Sequence, residues 1–296
     1  MNKIKKVLIL LLFSICGYGE IEEGRKAGAE DFLDVVGLVK DSKIKCTGTL
    51  LTSNIVISAK HCNESEGIYR GDGTNLKGRE GRQLKLFFKR SKNYSKIKDI
   101  VEIRKNDVAF YLIDKPLEKQ NKIKVLTGSN AQILLEDSFF VSAGFGVKKQ
   151  KCDKYDCNAM KTIFDDMKIR TECLGSPVAL KIPEDIERVD EKCDAGVYRN
   201  MILFKESKDG KKLLGGDSGA GIFLENNNSY TLVSVHSRRA NKKKTVYNKS
   251  DMYTNIVSSK MYCDLKKKIK RKSIKSNNES YYKKIYKQIE SLGLDC

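Results

Sequence analysis

Three side chains carry groups that could cooperate in acyl transfer. Ser218 stands in Leu214-Gly215-Gly216-Asp217-Ser218-Gly219-Ala220-Gly221-Ile222-Phe223, between glycines and ahead of an apolar, β-rich run. Glycines let a backbone approach a ligand closely and aim successive N–H groups at one point. Such a turn can present a hydroxyl nucleophile beside an anion-stabilising pocket. Alone, Gly-Asp-Ser-Gly is only a good turn sequence. A base is therefore needed, and the chain holds only two histidines. His61 follows the β-branched run Ile55-Val56-Ile57 and abuts Cys62, which could be bridged. A lone histidine there is more often a core or loop residue. An acid is available at Asp107, in Lys105-Asn106-Asp107-Val108-Ala109-Phe110-Tyr111-Leu112, where the apolar stretch would bury the carboxylate at a strand start. Histidine, then aspartate, then serine is one of the chain orders in which a nucleophile, its base and the base's orienting acid recur.

Three motifs around these residues carry a family resemblance. Ser53 to Cys62 resembles the strand-then-Ala-Ala-His-Cys motif of trypsin/chymotrypsin-like (family S1) serine endopeptidases, with Lys60 for the second Ala. Asn106 to Leu112 resembles the family's Asn-Asp-Ile-Ala-Leu. Gly216 to Gly221 resembles Gly-Asp-Ser-Gly-Gly-Pro, with Ala220 and Gly221 replacing the last two residues. The resemblance runs from about residue 21 to about residue 258, and three motifs in the right order are specific where any one would be weak.

The resemblance implies roles for further residues. His61, Asp107 and Ser218 would be catalytic, and the Gly216 and Ser218 N–H groups would form the oxyanion hole. Ile21 takes the place of the new N-terminal Ile whose ammonium pairs with the aspartate before the nucleophile, here Asp217; Glu22 and Glu23 depart from the usual Ile-Val-Gly-Gly. Ser237 takes the place of the serine that binds substrate backbone, although Arg238 and Arg239 replace the usual Trp-Gly. Cys46 and Cys62 match the bridge that clamps the histidine loop. Cys173 and Cys193 resemble the bridge of the second half. Pairings of Cys152 with Cys157 and of Cys263 with Cys296 remain by elimination.

Specificity is less legible. Ungapped matching from Ser218 puts Lys212 at the floor of the primary pocket, where trypsin-like members carry Asp. His236 precedes Ser237, where glutamyl endopeptidases of this fold carry a histidine that touches the substrate carboxylate. Both favour an acidic residue before the scissile bond. Asp251 falls near the pocket wall and could neutralise Lys212, giving a mixed pocket or a basic preference if Lys212 points outward. Glu20 precedes Ile21, so cleavage after Gly19 would leave a one-residue propeptide that a Glu-specific enzyme could remove from itself.

The elements around the site read as short strands: Thr49 to Ser58, Gln83 to Phe88, Ile97 to Ile103 and Val108 to Ile113, separated by Gly, Asn and Lys turns. Phe139 to Gly146 starts the second half; its Gly144-Phe145-Gly146 resembles the family's Gly-Trp-Gly and reads as a strand end. Met252 to Ile256 resembles the strand before the C-terminal helix. The expected fold is all-β, with two six-stranded antiparallel trypsin-like β-barrels spanning about 21–125 and about 126–258. Residues 259–296 would add a C-terminal helix and a basic extension, either a surface helix with a short helical cap or a polyanion-docking tail.

Residues 1–19 read as a signal peptide: Lys3, Lys5 and Lys6 precede an apolar run too short for a membrane span. Cys16 follows Ile15, a poor fit to a lipidation site. Losing that segment leaves eight of nine cysteines, an even number suited to disulfides in an exported chain. The remaining length would bury a sizeable core in one catalytic domain, residues 20–258. The net charge of +19 favours polyanions, acidic proteins and anionic envelopes, but the lysines are spread along the whole chain, as on a solvated surface.

These readings converge on a secreted or periplasmic serine endopeptidase, a monomer, made as a zymogen and acting on protein or peptide substrates, with protein inhibitors as further partners. No His/Cys cluster has metal-ligand spacing, and no cofactor, metal, nucleic acid or transmembrane segment is expected. The rival reading is a non-catalytic protease-fold protein that binds polyanions or acidic partners through its basic surface.

Overall fold

The computed structural model describes residues 25–27, 31–76, 79, 81–104, 106–120, 123–125, 132–133, 140–146, 162–167, 180–181, 201–204, 216–226, 229–239, 252–294 and 296. After the short β1 (Arg25–Lys26), six strands follow: β2 (Val35–Lys40), β3 (Lys43–Thr52), β4 (Ile55–Ser58), β5 (Gly67–Arg70), β6 (Tyr94–Glu102) and β7 (Ala109–Ile113). They close into a barrel in the order β2-β3-β4-β7-β6-β5. Side chains alternate along a strand, and here both faces are apolar. On β7, Ala109, Tyr111 and Ile113 join one buried cluster with Val36, Leu38 and Val56. Phe110 and Leu112 join another, which also takes in the second half of the molecule. Burial on both faces explains why β2, β4 and β7 read as continuous apolar runs.

The segment Gln83 to Phe88, expected as a strand, lies in a helix, α1 (Gly81–Arg90). Leu84 and Phe88, four residues apart, are buried, whereas Leu86 is 40% exposed. The helical period of 3.6 therefore prevails over the apparent alternation. The stretch Thr49 to Ser58 is divided by a turn at Ser53-Asn54 into β3 and β4.

The second half contains β8 (Ile123–Val125), β9 (Gln132–Ile133), β10 (Phe140–Gly144), β11 (Thr162–Met167), β12 (Leu180–Lys181), β13 (Met201–Phe204), β14 (Gly221–Asn226), β15 (Ser229–Arg239) and β16 (Met252–Ile256). An eight-stranded sheet runs β1-β11-β10-β14-β15-β16-β13, with β8 added in parallel against β15; β9 and β12 pair separately. The expected second six-stranded barrel is thus represented, among the described residues, by a sheet that they do not close.

The C-terminal residues form two helices rather than one helix and an extension. α2 (Ser259–Lys275) and α3 (Glu279–Glu290) pack as a hairpin, joined by a Cys263–Cys296 disulfide. Leu265, Ile269, Ile285 and Ile289 enter the common core. Polar bonds tie the hairpin to the first barrel: Tyr281 Oη donates to the Ile113 carbonyl (3.0 Å), and Tyr282 Oη to Asp99 (3.0 Å), which also pairs with Lys272. Gln288 accepts from Thr52 Oγ1 (2.7 Å) and donates to Ser53 Oγ and Asn54 Oδ1 (3.1 Å each) on the β3–β4 turn. Among the described residues, no helix is long and apolar enough to cross a membrane.

Candidate active site

His61 sits on a single helical turn, Lys60–Cys62, directly after β4. Asp107 lies just ahead of β7. Pairing of Ser58 with Ala109 in the β4–β7 ladder brings these two strand ends together. The Lys60 N–H donates to the Asp107 carbonyl (3.2 Å). The Asp107 carboxylate then receives the His61 backbone N–H (3.0 Å) on one oxygen and contacts His61 Nδ1 (2.7 Å) through the other. Ser237 Oγ donates to that second oxygen (2.6 Å). Nδ1 is thereby the protonated nitrogen, leaving Nε2 free to accept a proton.

The pair tunes itself electrostatically. The hydrogen bond that His61 donates to Asp107, aided by the carboxylate charge, raises the His61 pKa above the ordinary imidazole value, against the cost of burial. Burial pushes the Asp107 carboxyl up, but hydrogen bonds from His61 and Ser237 outweigh it and hold the pKa below the usual carboxylate value. The side chain of His61 is 47% exposed, so its outer edge faces solvent.

Cys46 on β3 is bonded to Cys62, closing the loop that carries His61. The two sulfurs and one His61 ring nitrogen cluster within 4.8 Å, but bridged sulfurs offer no thiolate to a metal ion. The Cys62 sulfur also lies 3.8 Å from the Ser218 carbonyl oxygen. That carbonyl accepts the Thr47 N–H (2.8 Å), Gly219 N–H donates to the His236 carbonyl (2.8 Å), and His236 N–H donates to the Ala220 carbonyl (2.8 Å). Ser218 is thus held by its backbone beside the disulfide that carries His61. No hydrogen bond joins Ser218 Oγ to His61 in the described residues.

Gly219 has no freedom to be another residue. Its φ is +85°, and a Cβ would fall 2.3 Å from the Thr47 carbonyl oxygen and 2.7 Å from the Ala59 nitrogen. Asp217 is fully buried. Its carboxylate rests on Gly144 and Gly146, where an added Cβ would come within 2.1 Å of one carboxylate oxygen in each case. The Gly-Phe-Gly stretch is therefore the cradle of Asp217, a role that its reading as a strand end did not include.

His61, Asp107, Ser218, Gly216, Asp217, His236 and Ser237 all converge on this region. His236 is buried at β15, opposite Thr254 on β16. Ser237, expected to bind substrate backbone, also donates its hydroxyl to Asp107. Ile21, Lys212, Asp251, Cys152, Cys157, Cys173 and Cys193 lie outside the described residues, as do residues 1–19 and Glu20. Sequence reasoning missed Thr47, a fully buried residue whose side chain reaches this region; the available signal was a hydroxyl set in a run buried on both sides.

A family model described as Trypsin matches residues 21–257. The chain belongs to the trypsin family. The match covers the closed first barrel and the sheet of the second half and ends before the two C-terminal helices, and it makes a serine protease fold the frame in which the His61–Asp107 pair is read. No curated protein is similar enough to this chain to match it.

Proposed function

We propose that this protein is an exported serine endopeptidase in which Ser218, His61 and Asp107 act as one catalytic unit. The observation that carries the reading is the 2.7 Å contact between His61 Nδ1 and Asp107, with the Ser218 backbone held against the Cys46–Cys62 disulfide. Ser218 Oγ attacks the scissile carbonyl carbon while His61 Nε2 takes its proton. The tetrahedral intermediate collapses as His61 returns the proton to the leaving amine, leaving Ser218 acylated. Water, activated by the same imidazole, releases the acid. Asp107 keeps the imidazole in the Nδ1-protonated tautomer and stabilises the imidazolium. The Gly216 and Ser218 N–H groups receive the oxyanion, each donor worth roughly 2.7–4 kcal/mol.

Activation and specificity belong to the same proposal. Asp217, buried on its glycine cradle, is the acceptor for the ammonium of Ile21, and removal of the preceding residues exposes that ammonium. Burying a carboxylate in such a place is costly without a cationic or hydrogen-bonding partner. Lys212 and His236 favour an acidic residue before the scissile bond, and Asp251 opposes them. Peptides that differ only at that position, carrying Glu, Asp, Arg, Phe or Ala, test it: Glu and Asp should turn over fastest, and fastest turnover of Arg refutes the acidic preference. The activity itself is tested with a labelled fluorophosphonate, which reacts only with an activated serine hydroxyl. Labelling of the native chain that is lost in Ser218→Ala is expected. A native chain that resists labelling after Ile21 is exposed would instead be a protease-fold binding protein.

A further inference from the structure

We infer that Thr47 is a positioning residue for the oxyanion-binding turn, a role that rests on the peptidase reading above. Thr47 lies on β3 of the first barrel, yet its side chain holds two segments of the second half. Its Oγ1 accepts the Phe145 N–H (2.9 Å) and donates to the Gly216 carbonyl (2.9 Å). A hydroxyl has one proton to give, so accepting from Phe145 directs that proton to Gly216. Thr47 has no exposed surface, and its bond with Phe145 is buried. A β-branched side chain is stiff at χ1. The residue is also anchored through its backbone: Ser58 Oγ donates to its carbonyl (2.6 Å), and its N–H donates to the Ser218 carbonyl (2.8 Å).

Thr47 therefore grips the turn on both sides of Asp217, through its hydroxyl at Gly216 and its N–H at Ser218. The intervening Asp217 carbonyl accepts from Ala220 N–H (2.8 Å). In a planar trans peptide the N–H points opposite to the C=O. With the Asp217 carbonyl turned towards Ala220, the Ser218 N–H is aimed the other way. The Gly216–Asp217 peptide lies between the two peptides that carry the N–H groups assigned to the oxyanion, and its rotation changes the Gly216 ψ and the Asp217 φ on which the relative aim of those two groups depends. The hydroxyl of Thr47 is the side-chain bond that opposes that rotation, and it couples the turn to Phe145, between the two glycines that cradle Asp217. Thr47 does not touch the reacting atoms; it acts through the two N–H groups.

Thr47→Val keeps the shape and removes the hydroxyl, leaving the Phe145 N–H and the Gly216 carbonyl without it. Thr47→Ser keeps the hydroxyl. Loss of one oxyanion donor costs about 10²–10³ in kcat, and a donor retained but misaimed costs less. Thr47→Val is therefore expected to lower kcat about 10- to 100-fold and slow fluorophosphonate labelling in parallel, with KM changed less than about threefold; Thr47→Ser should restore kcat to within a few-fold. Wild-type kcat in Thr47→Val, a loss confined to KM, or a lowered thermal midpoint with unchanged kcat would each overturn the proposal. So would Thr47→Ser as slow as Thr47→Val. If Thr47→Val does not fold, Thr47→Ala measured against Thr47→Ser supplies the same comparison. Native protein that never labels refutes the peptidase reading and this role together, whereas native protein that labels at the same rate as Thr47→Val refutes only the role of Thr47.

Discussion

At the scale of the residue, the proposed chemistry depends on which atom of His61 holds its proton. Asp107 binds Nδ1 and leaves Nε2 as the nitrogen that can accept a proton. Replacing Ser218 by Ala should lower the hydrolysis rate by several orders of magnitude, on the order of 10⁴ or more, and adding His61→Ala should cost little further, because the residues act as a unit. Progress curves with a peptide substrate measure both. The pH dependence has a definite sign. In the proposed mechanism the neutral imidazole is the active form, and the hydrogen bond to Asp107 and the charge of that carboxylate raise its pKa above the ordinary 6.5. Activity should therefore fall as the pH drops through a midpoint above 6.5. In Asp107→Asn the carboxylate charge that raises this pKa is gone, and one acceptor oxygen is replaced by a donor NH2. The acid limb should then move to lower pH, while kcat drops by about 10⁴ as the imidazole takes the wrong tautomer. A pH profile of kcat/KM checks both shifts.

At the scale of the element, the site is held by turns whose backbone carries the constraint. Gly219→Ala would put a Cβ against two backbone atoms at a φ of +85°. The left-handed conformation alone costs about 1–2 kcal/mol for a residue with a Cβ, and the clashes add to it. Denaturant unfolding should show at least that loss, together with reduced labelling of Ser218. The Cys46–Cys62 disulfide closes a sequence separation of 16 residues and carries the His61 turn between its ends. The double variant Cys46→Ala/Cys62→Ala should lose about 3 kcal/mol by the chain-entropy argument, with kcat falling as well, because the same bridge packs against the Ser218 carbonyl. Thermal and denaturant midpoints measured beside kcat separate the two effects.

At the scale of the whole molecule, the helical hairpin is part of the fold. Its apolar face shares a buried cluster with the first barrel and the second sheet, and Gln288 satisfies three groups on the β3–β4 turn. Several of its cations are engaged internally: Lys266 with Glu290 (3.5 Å), and Lys272 with Asp99. Ile285 has no exposed surface. Ile285→Ala should destabilise the protein by about 2–5 kcal/mol, as a cavity in a shared core does, and do so in a single unfolding transition. A freely attached tail would leave the thermal midpoint unchanged. The hairpin still presents Lys267, Lys270, Arg271 and Lys275 to solvent, so its basic character lies on one outer surface of a packed unit.

The sequence by itself determined the family and pointed to His61, Asp107 and Ser218 as the candidate chemistry-bearing residues, because each stands in a local motif and the three motifs follow a recognisable order. It also determined the Cys46–Cys62 clamp through that resemblance, and strands such as β4 and β7, whose unbroken apolar runs register burial on both faces. Where two periods fit one short stretch, the tertiary structure decided: residues 83–88 alternate on paper, but the core accepts Leu84 and Phe88 from a helix and leaves Leu86 outside. It likewise decided between a helical cap and a free tail at the basic C-terminus, since Tyr282, Ile285 and Ile289 of α3 are buried in the core shared with the barrel and α2. Thr47 shows the limit most sharply. Its hydroxyl serves Phe145, 98 residues away, and Gly216, 169 residues away. No spacing or composition signals such a bridge, because the contact exists only once the barrel has closed and the second sheet has docked against it.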